Sequence, residues 1–243
     1  MPLLTAQNIV DRAWVILQDT TGGQGVRWPA SEQLYWINDG QREVALNLPS
    51  ASVKTVVATP LAGTRQTLTG LTLADGIQVM KVVRNFAANG TTPGRAITVK
   101  PMLWLDEQRP TWHSDTAADA IHCLFDPGEP KAFYLWPPAD GIKKIEVTYS
   151  AAPADLSSLG AVINLDDIYA NALQYYVLFR SFSKNATYTK APQLATAYYQ
   201  LFLQSLGVKD ARVKALDANL QMLSDGSGVA GASAVPHAGV GGA

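Results

Sequence analysis

The sequence predicts an α+β protein in which an antiparallel helical bundle of about four helices carries an inserted β-rich antiparallel module. Apolar residues recur at helical spacing in residues 1–50 and 151–224, whereas residues 51–150 have short β-branched and aromatic stretches. Helices at both ends would pack together and form one platform, with the β module inserted between them. Residues 225–243 contain 11 Gly or Ala among 19 residues, which predicts a flexible tail.

Composition excludes several classes of protein. The 243 residues include 19 basic and 20 acidic side chains, three His and one Cys, for a formal net charge of −1. This near-neutral charge excludes a protein that grips nucleic acid through a broad basic face, and a single Cys excludes an internal disulfide framework. No apolar stretch approaches the roughly 18 residues of a membrane span, and no signal peptide is expected.

Residues 5–48 predict two adjacent helices. Thr5 suits the N-cap of the first helix, and the Gly-rich stretch at residues 20–25 predicts the break that follows it. Pro29 suits the first turn of the second helix, and Pro49 is expected to end that helix.

Residues 51–150 predict short strands separated by Asp-Gly, Asn-Gly and Pro-Gly turns. The predicted strands are Val53–Val57, Ile77–Val83, Ala96–Lys100, Ala120–Phe125, Ala132–Trp136 and Lys144–Tyr149. The clearest hairpin joins the last two strands through Pro137–Gly141, so we expect those strands to pair. Between strands, Met102–Gln108 predicts one short helical turn.

Residues 151–224 return to helical spacing. One helix is predicted from Asp166 or Asp167, and its apolar stripe comprises Ile168, Ala172, Tyr175, Phe179 and Phe182. A second helix begins at Pro192, and Gly207 predicts either its end or a kink. A last amphipathic segment carries apolar residues at helical spacing: Val213, Leu216, Leu220 and Leu223.

The strongest candidate for catalysis is the stretch Trp112–Asp115. His113 and Asp115 could serve as a base and its orienting carboxylate, with Ser114 as the nucleophile. Adjacent residues rarely reach the geometry of a triad, however, so we prefer a polar loop that a buried Trp112 anchors.

Other reactive side chains form no recognisable site. His122 and Cys123 are neighbours on a predicted strand and would face opposite sides, so we expect Cys123 to be a small buried residue. His113 and His122 together with Asp115 and Asp119 match no zinc or iron spacing.

The remaining motifs also lack a catalytic pattern. Gly22–Gly25 lacks the Lys and the Ser or Thr of a phosphate-binding loop. Paired carboxylates occur at Asp106-Glu107 and Asp166-Asp167, and the second pair suits a helix start. The sequence therefore predicts no catalytic, cofactor-binding or metal-binding residues, and no enzyme.

Tyrosines are frequent on the helices predicted after residue 150. Tyr175 with Tyr176, and Tyr198 with Tyr199, place rings on more than one face of each helix. Because a helix of a small bundle buries one stripe, the surplus predicts a partner, and a homo-oligomer is the simplest one. These four tyrosines are candidate subunit-interface residues.

Several short strings in a fixed order resemble a known family. They are Asp11-Arg12, Val26-Arg27-Trp28-Pro29, Trp36-Ile37-Asn38-Asp39-Gly40-Gln41-Arg42-Glu43, Gly76-Ile77-Gln78-Val79, Val82-Val83-Arg84-Asn85, Pro93-Gly94-Arg95-Ala96-Ile97, Phe125-Asp126-Pro127, Phe133-Tyr134-Leu135-Trp136-Pro137-Pro138, Ala172-Leu173 and Leu178-Phe179-Arg180. Together they resemble the head-to-tail adaptor proteins of short-tailed phages, the tail tubular protein A type, over about residues 5–223.

The resemblance implies a structural virion protein at the phage head-to-tail junction, made in the host cytoplasm and without a membrane partner. Such adaptors form a homo-oligomeric ring, usually a dodecamer, between the portal protein and the tail nozzle protein. DNA passes through the ring without sequence-specific binding, and tail fibres are a further partner. The last helix and the tail of such proteins resemble the part that docks onto the portal, which implies docking residues at Val213, Leu216, Leu220 and Leu223.

A second hypothesis is a β-rich receptor- or carbohydrate-binding virion module on a helical stalk. Aromatic residues exposed within residues 51–150 would favour that hypothesis.

Overall fold

Helices lie at both ends of the chain and strands lie between them, so the α+β prediction is confirmed. The computed structural model describes residues 4–19, 25–185 and 188–224, with side chains of the last helix as far as Gly207. Within these residues lie five helices and eight strands: α1 (Ala6–Leu17), α2 (Ala30–Asn47), β1 (Val53–Ala58), β2 (Gly63–Thr67), β3 (Gly76–Phe86), β4 (Pro93–Ala96), β5 (Thr98–Val99), α3 (Met102–Gln108), β6 (His122–Leu124), β7 (Ala132–Ala139), β8 (Lys144–Ala151), α4 (Ala170–Lys184) and α5 (Ala191–Ser224). No helix in these ranges has the length and apolarity needed to span a membrane.

The first two helices lie close to their predicted positions, and residues 20–24 of the predicted break between them lie outside the described residues. Thr5 is the N-cap of α1, and its backbone N–H donates to Oδ1 of Asn8 at 3.0 Å. Pro29 is the N-cap of α2 rather than its first residue, and Pro49 opens a 3-10 turn after α2. The carboxylate of Asp19, 8% exposed, accepts the backbone N–H groups of residues 26–28 at 3.0–3.1 Å and fixes the entry to α2.

Helix α4 packs against each of α1, α2 and α5. The apolar stripe predicted for α4 is only partly right, because Ile168 is 63% exposed and lies in a 3-10 turn before the helix. Ala172 of the predicted stripe is fully buried, but so are Leu173, Val177 and Leu178, which the stripe does not include. The difference has a physical reason: α4 packs on two sides, so a single stripe does not describe it.

The strands form a sandwich of two four-stranded sheets. The first sheet has the order β1-β8-β3-β4 and is antiparallel throughout. The second has the order β2-β7-β6-β5, in which β5 and β6 are parallel, so the β module is not entirely antiparallel. Val82 and Val147 of the first sheet share one buried cluster with Phe133 and Leu135 of the second.

The predicted hairpin between β7 and β8 is wrong. Strand β7 runs through Pro137 and Pro138 to Ala139 and pairs with β2 and β6, whereas β8 pairs with β1 and β3. The turn itself exists, because Oδ1 of Asp140 accepts the N–H groups of Ile142 and Lys143 at 2.8 and 2.9 Å. It carries the chain from one sheet to the other. Strand β2 was not predicted, and the helical turn at Met102–Gln108 is confirmed as α3.

Helix α5 continues through Gly207 to Ser224, so of the two predicted roles of Gly207 the end of the helix is wrong. A single Gly costs a helix about 1 kcal/mol relative to Ala, which good helix formers on either side can offset.

Buried amides of α2 hold the chain where it returns from the β sandwich; we refer to residues 152–165 as the return segment. Asn38 donates from Nδ2 to the carbonyl of Leu156 at 3.2 Å and accepts the Leu156 N–H at 2.9 Å. Oε1 of Gln41 accepts the N–H of Asn164 at 2.7 Å. The return segment also accepts the first N–H groups of α1, through the carbonyls of Leu159 and Ala161.

Replacing Asn38 with Ala is expected to lower the free energy of unfolding by about 2–3 kcal/mol. The change removes both hydrogen bonds to Leu156 and leaves a buried N–H and a buried C=O without their partner. Urea unfolding measures the loss. The control is Asn47→Ala at an exposed position of the same helix, where a change within about 0.5 kcal/mol is expected. Equal effects at the two positions would contradict the role of Asn38.

The free energy of unfolding should depend on pH partly through Asp75, which contacts Lys54 of β1 and Tyr149 of β8. The ammonium group of Lys54 lies 2.6 Å from the Asp75 carboxylate and lowers the pKa of Asp75, and the Tyr149 hydroxyl donates to it at 3.1 Å. Because the folded-state pKa lies below the unfolded value of about 3.9, this stabilisation is present above that pH and is lost as the pH falls through the folded-state pKa.

Asp75→Asn should therefore lose less stability than the parent protein between pH 7 and pH 3. Urea unfolding at the two pH values tests this, with Glu107→Gln at an exposed position of α3 as the control. The expectation fails if Asp75→Asn and the parent show the same acid slope.

Candidate assembly surfaces

A layer of aromatic rings joins α4 to α5; we refer to these seven residues as the aromatic seam. It comprises Tyr175, Tyr176, Phe179 and Phe182 of α4 with Tyr198, Tyr199 and Phe202 of α5. Phe182 and Tyr198 stack with centroids 5.5 Å apart and planes 2° apart, and Phe179 lies 5.0 Å from Tyr199. Tyr176 contacts Phe202 edge to face at 5.4 Å. The rings therefore satisfy much of their apolar contact within one chain.

The four predicted interface tyrosines differ in how much surface they leave to a partner. Tyr176 is only 5% exposed, and its burial raises the pKa of its hydroxyl. Tyr175, Tyr198 and Tyr199 are half-buried. The expectation that each helix buries a single stripe does not hold for α4, so the aromatic surplus is smaller than the sequence suggests.

One end of the aromatic seam opens into a groove of about 550 Å³. Its walls come from the end of α4, the start of α5 and the link between them, with these residues lining it: Phe179, Phe182, Ser183, Asn185, Tyr188, Thr189, Pro192, Ala195, Thr196 and Tyr199. The groove was not predicted, because its residues look unremarkable until α5 lies beside α4. An open, aromatic-walled groove suits contact with another macromolecule.

Helix α5 is much longer than the helix it packs against. It has 34 residues and α4 has 15, which correspond to about 51 Å and about 22 Å of helix. The side chains of Val213, Leu216, Leu220 and Leu223 lie outside the described residues, so their predicted role remains a proposal.

His113 and Asp115 do not act on each other as the general base and orienting carboxylate of a catalytic triad. Nδ1 of His113 lies 3.0 Å from Oγ1 of Thr64, and the imidazole stacks on Trp112 at 3.6 Å. Oδ2 of Asp115 accepts instead from Nε1 of Trp136 at 2.7 Å and from Nε of Arg109 at 2.8 Å. Trp112 is fully buried, as predicted.

His122 and Cys123 lie apart, as neighbours on a strand must. Cys123 is fully buried, and desolvation raises the pKa of its thiol far above the ordinary range. His122 stacks on Trp136 at 5.6 Å, and burial lowers its pKa with help from Lys100 and Arg95. No three potential metal ligands cluster anywhere in the part of the chain that the structure describes.

The other motifs that the sequence raised have structural uses. Oδ1 of Asp106 accepts from Nε1 of Trp112 at 2.8 Å, and Oδ1 of Asp167 accepts the N–H of Leu4 at 3.2 Å. Asp166 is the N-cap of the 3-10 turn before α4. Residues 22–24 of the Gly-rich stretch lie outside the described residues.

The aromatic residues of the β module are already in contact with side chains of the same chain. Arg109 lies over the ring of Trp136 at 5.7 Å, and Lys100 lies over the ring of Trp104 at 5.3 Å. A sugar-binding platform needs a free aromatic face, so this arrangement gives no support to the carbohydrate-binding hypothesis.

The described residues form helices at both ends of the chain and a β sandwich between them. Comparison with known families identifies the kind of protein. The profile of the SU10 adaptor protein family matches residues 4–223, so the chain belongs to this family. The resemblance to phage adaptor proteins is thereby confirmed, and no curated protein matches the chain. Family membership makes the chain a phage adaptor protein that assembles with other virion proteins, and it implies a non-enzymatic role.

Substitutions in the aromatic seam should separate core tyrosines from interface tyrosines. Tyr176→Ala is expected to lower the free energy of unfolding by about 3 kcal/mol or more, because it empties a buried site. Tyr175→Ala should cost about 1 kcal/mol or less and should weaken oligomerisation. Urea unfolding and size-exclusion chromatography measure the two effects. Equal losses of stability would make Tyr175 a core residue and remove it from the interface.

Proposed function

We propose that the chain forms the ring that joins the portal protein to the tail nozzle protein, with twelve copies around a channel for DNA. Membership of the SU10 adaptor protein family supports this proposal. Tail fibres are a further proposed partner. The near-neutral charge of the chain suits a channel wall, because a strongly basic wall would hold the DNA by releasing its counterions.

The observation that carries the proposal is the length of α5. The helix exceeds α4 by 19 residues, or about 28 Å, and the heptad spacing of Tyr199 and Leu206 continues in the sequence at Val213 and Leu220. A helix with such a repeat needs a partner for its apolar positions. We propose that the portal supplies it and that Val213, Leu216, Leu220 and Leu223 are the docking residues.

The division of the chain follows from the same proposal. Residues 1–50 and 151–224 form the platform that carries the docking helix, and residues 51–150 form the module that faces the nozzle. The buried clusters support this division. One cluster comprises residues from 6–48 and 156–206, and the other two comprise residues from 68–151. We propose that residues 225–243 act as a tail that takes part in docking, and that Tyr175, Tyr198 and Tyr199 lie between neighbouring copies.

Electron microscopy tests the ring directly. Negative-stain images of the purified chain, alone and mixed with its portal protein, are expected to show rings, and mass photometry should give a mass near twelve copies. A monomer under both conditions would contradict the proposal.

Docking through α5 has its own test. The double change Leu216→Gln and Leu220→Gln is expected to weaken cosedimentation with the portal by tenfold or more. The expected melting temperature is that of the parent, because residues 191–206 supply the contact with α4. The matched control is Arg212→Gln, which places the same residue type on the same part of the helix and leaves the apolar positions unchanged. Portal binding that is unchanged in the double variant would exclude this face of α5.

A further inference from the structure

The sandwich has end strands, each with one free edge, on two opposite sides. Strands β1 and β2 are the end strands of the two sheets on one side, because the link between them is only residues 59–62. Strands β4 and β5 are the end strands on the other side, because only Ile97 lies between them. Among the described strands, β1 pairs only with β8 and β4 pairs only with β3. Strand β1 therefore presents a row of backbone N–H and C=O groups that another strand can pair with, and β4 presents a shorter row, because it has four residues and begins at Pro93, which has no N–H.

Strand β1 lacks the features that usually protect a free edge. It pairs with β8 over six residues in unbroken register, with no proline and no bulge. Its only charged residue, Lys54, is held 2.6 Å from Asp75, and Val53 and Val57 are 43% and 39% exposed. Proteins normally place short strands, prolines or free charges at such an edge, so β1 is suited to strand addition.

The directions of the strands indicate which strand can be added. Each neighbouring pair in β1-β8-β3-β4 is antiparallel, so β1 and β4 run in opposite directions. In a ring, one side of each copy meets the opposite side of the next copy. A β4 strand placed beside the β1 strand of its neighbour would therefore pair antiparallel and continue the sheet. The second sheet offers no such match, because β5 has two residues and is parallel to β6.

Two grooves adjoin the end strands. One, of about 360 Å³, is lined by Val56, Val57 and Ala58 of β1 together with Thr59, residues 70–73 and Lys144. The other, of about 280 Å³, is lined by Pro93 and Gly94 of β4 together with residues of β3, Asp119 and Lys143. All four residues of β4 are exposed.

We infer that β1 of one copy pairs antiparallel with β4 of the neighbouring copy, so that the first sheet runs continuously around the ring. This inference rests on the proposed ring and names the surfaces that close it. Because Pro93 has no N–H, the new ladder draws its donors from Gly94 onward on the β4 side.

Cross-linking of the full-length chain under ring-forming conditions tests the pairing. The double variant Thr55→Cys and Arg95→Cys places one thiol on each edge, and the native Cys123 is fully buried. A short bis-maleimide tolerates differences in register. The expected result is a covalent ladder of dimers, trimers and larger species on a denaturing gel. Each single variant, and the control pair Thr55→Cys with Lys131→Cys, should give no such ladder.

The other outcomes are distinct. Rings in the microscope without a ladder from the double variant would overturn the edge pairing and leave the adaptor proposal standing. Dimers from Thr55→Cys alone would indicate pairing between two β1 strands and would also overturn it. If neither rings nor a ladder formed, alone or with the portal, the proposed function and this inference would both fail.

Discussion

The fold depends on the hydrogen bonds that tie the return segment to α2. The chain leaves the helical platform after α2, forms the whole sandwich, and must come back to place α4 against α1 and α2. The Asn38 side chain hydrogen-bonds with both the N–H and the C=O of Leu156, so the position and direction of the chain are fixed where it returns to the helices. The same segment accepts the first N–H groups of α1. Other polar contacts also join the two halves, among them the hydrogen bond from Nε1 of Trp28 to the carbonyl of Ser181 at 3.1 Å, but the junction at Asn38 pairs with both backbone groups of one residue.

Helix α2 also packs closely on α4. An added Cβ at Gly40 would lie 3.0 Å from Cδ1 of Tyr176, so a larger residue there would require the Tyr176 ring to shift by a few tenths of an ångström. Arg42, two residues further on, forms ion pairs with Asp39 and Asp155 at the surface. The string Trp36–Glu43 therefore combines core residues, a close approach and the junction. Its role in the fold is therefore structural.

The sequence predicted the α+β class and most of the elements in order, but it missed β2 and did not predict which strands pair. The turn at Asp140 was predictable from its residues, because a side-chain carboxylate followed by Gly141 favours a tight turn. Whether such a turn joins partners in one sheet or crosses between two sheets depends on the whole sandwich. The same limit applies to His113, whose imidazole lies within hydrogen-bond distance of Thr64 and stacks on Trp112. It applies also to the groove beside the aromatic seam, which exists only once α5 lies along α4.

The polar contacts that fix the fold are mostly neutral. Asn85, 4% exposed, exchanges hydrogen bonds with the backbone of Ala120 at 2.7 and 3.0 Å and so ties β3 to the stretch before β6. The ion pairs of Arg42, Lys54 and Arg65 lie at the surface, where each basic side chain is more than two-fifths exposed and salt screens the attraction. Amide hydrogen bonds do not titrate between pH 4 and 9 and respond weakly to ionic strength. The junctions of the fold should therefore hold their geometry across changes in salt, whereas the exposed ion pairs should weaken as salt is added.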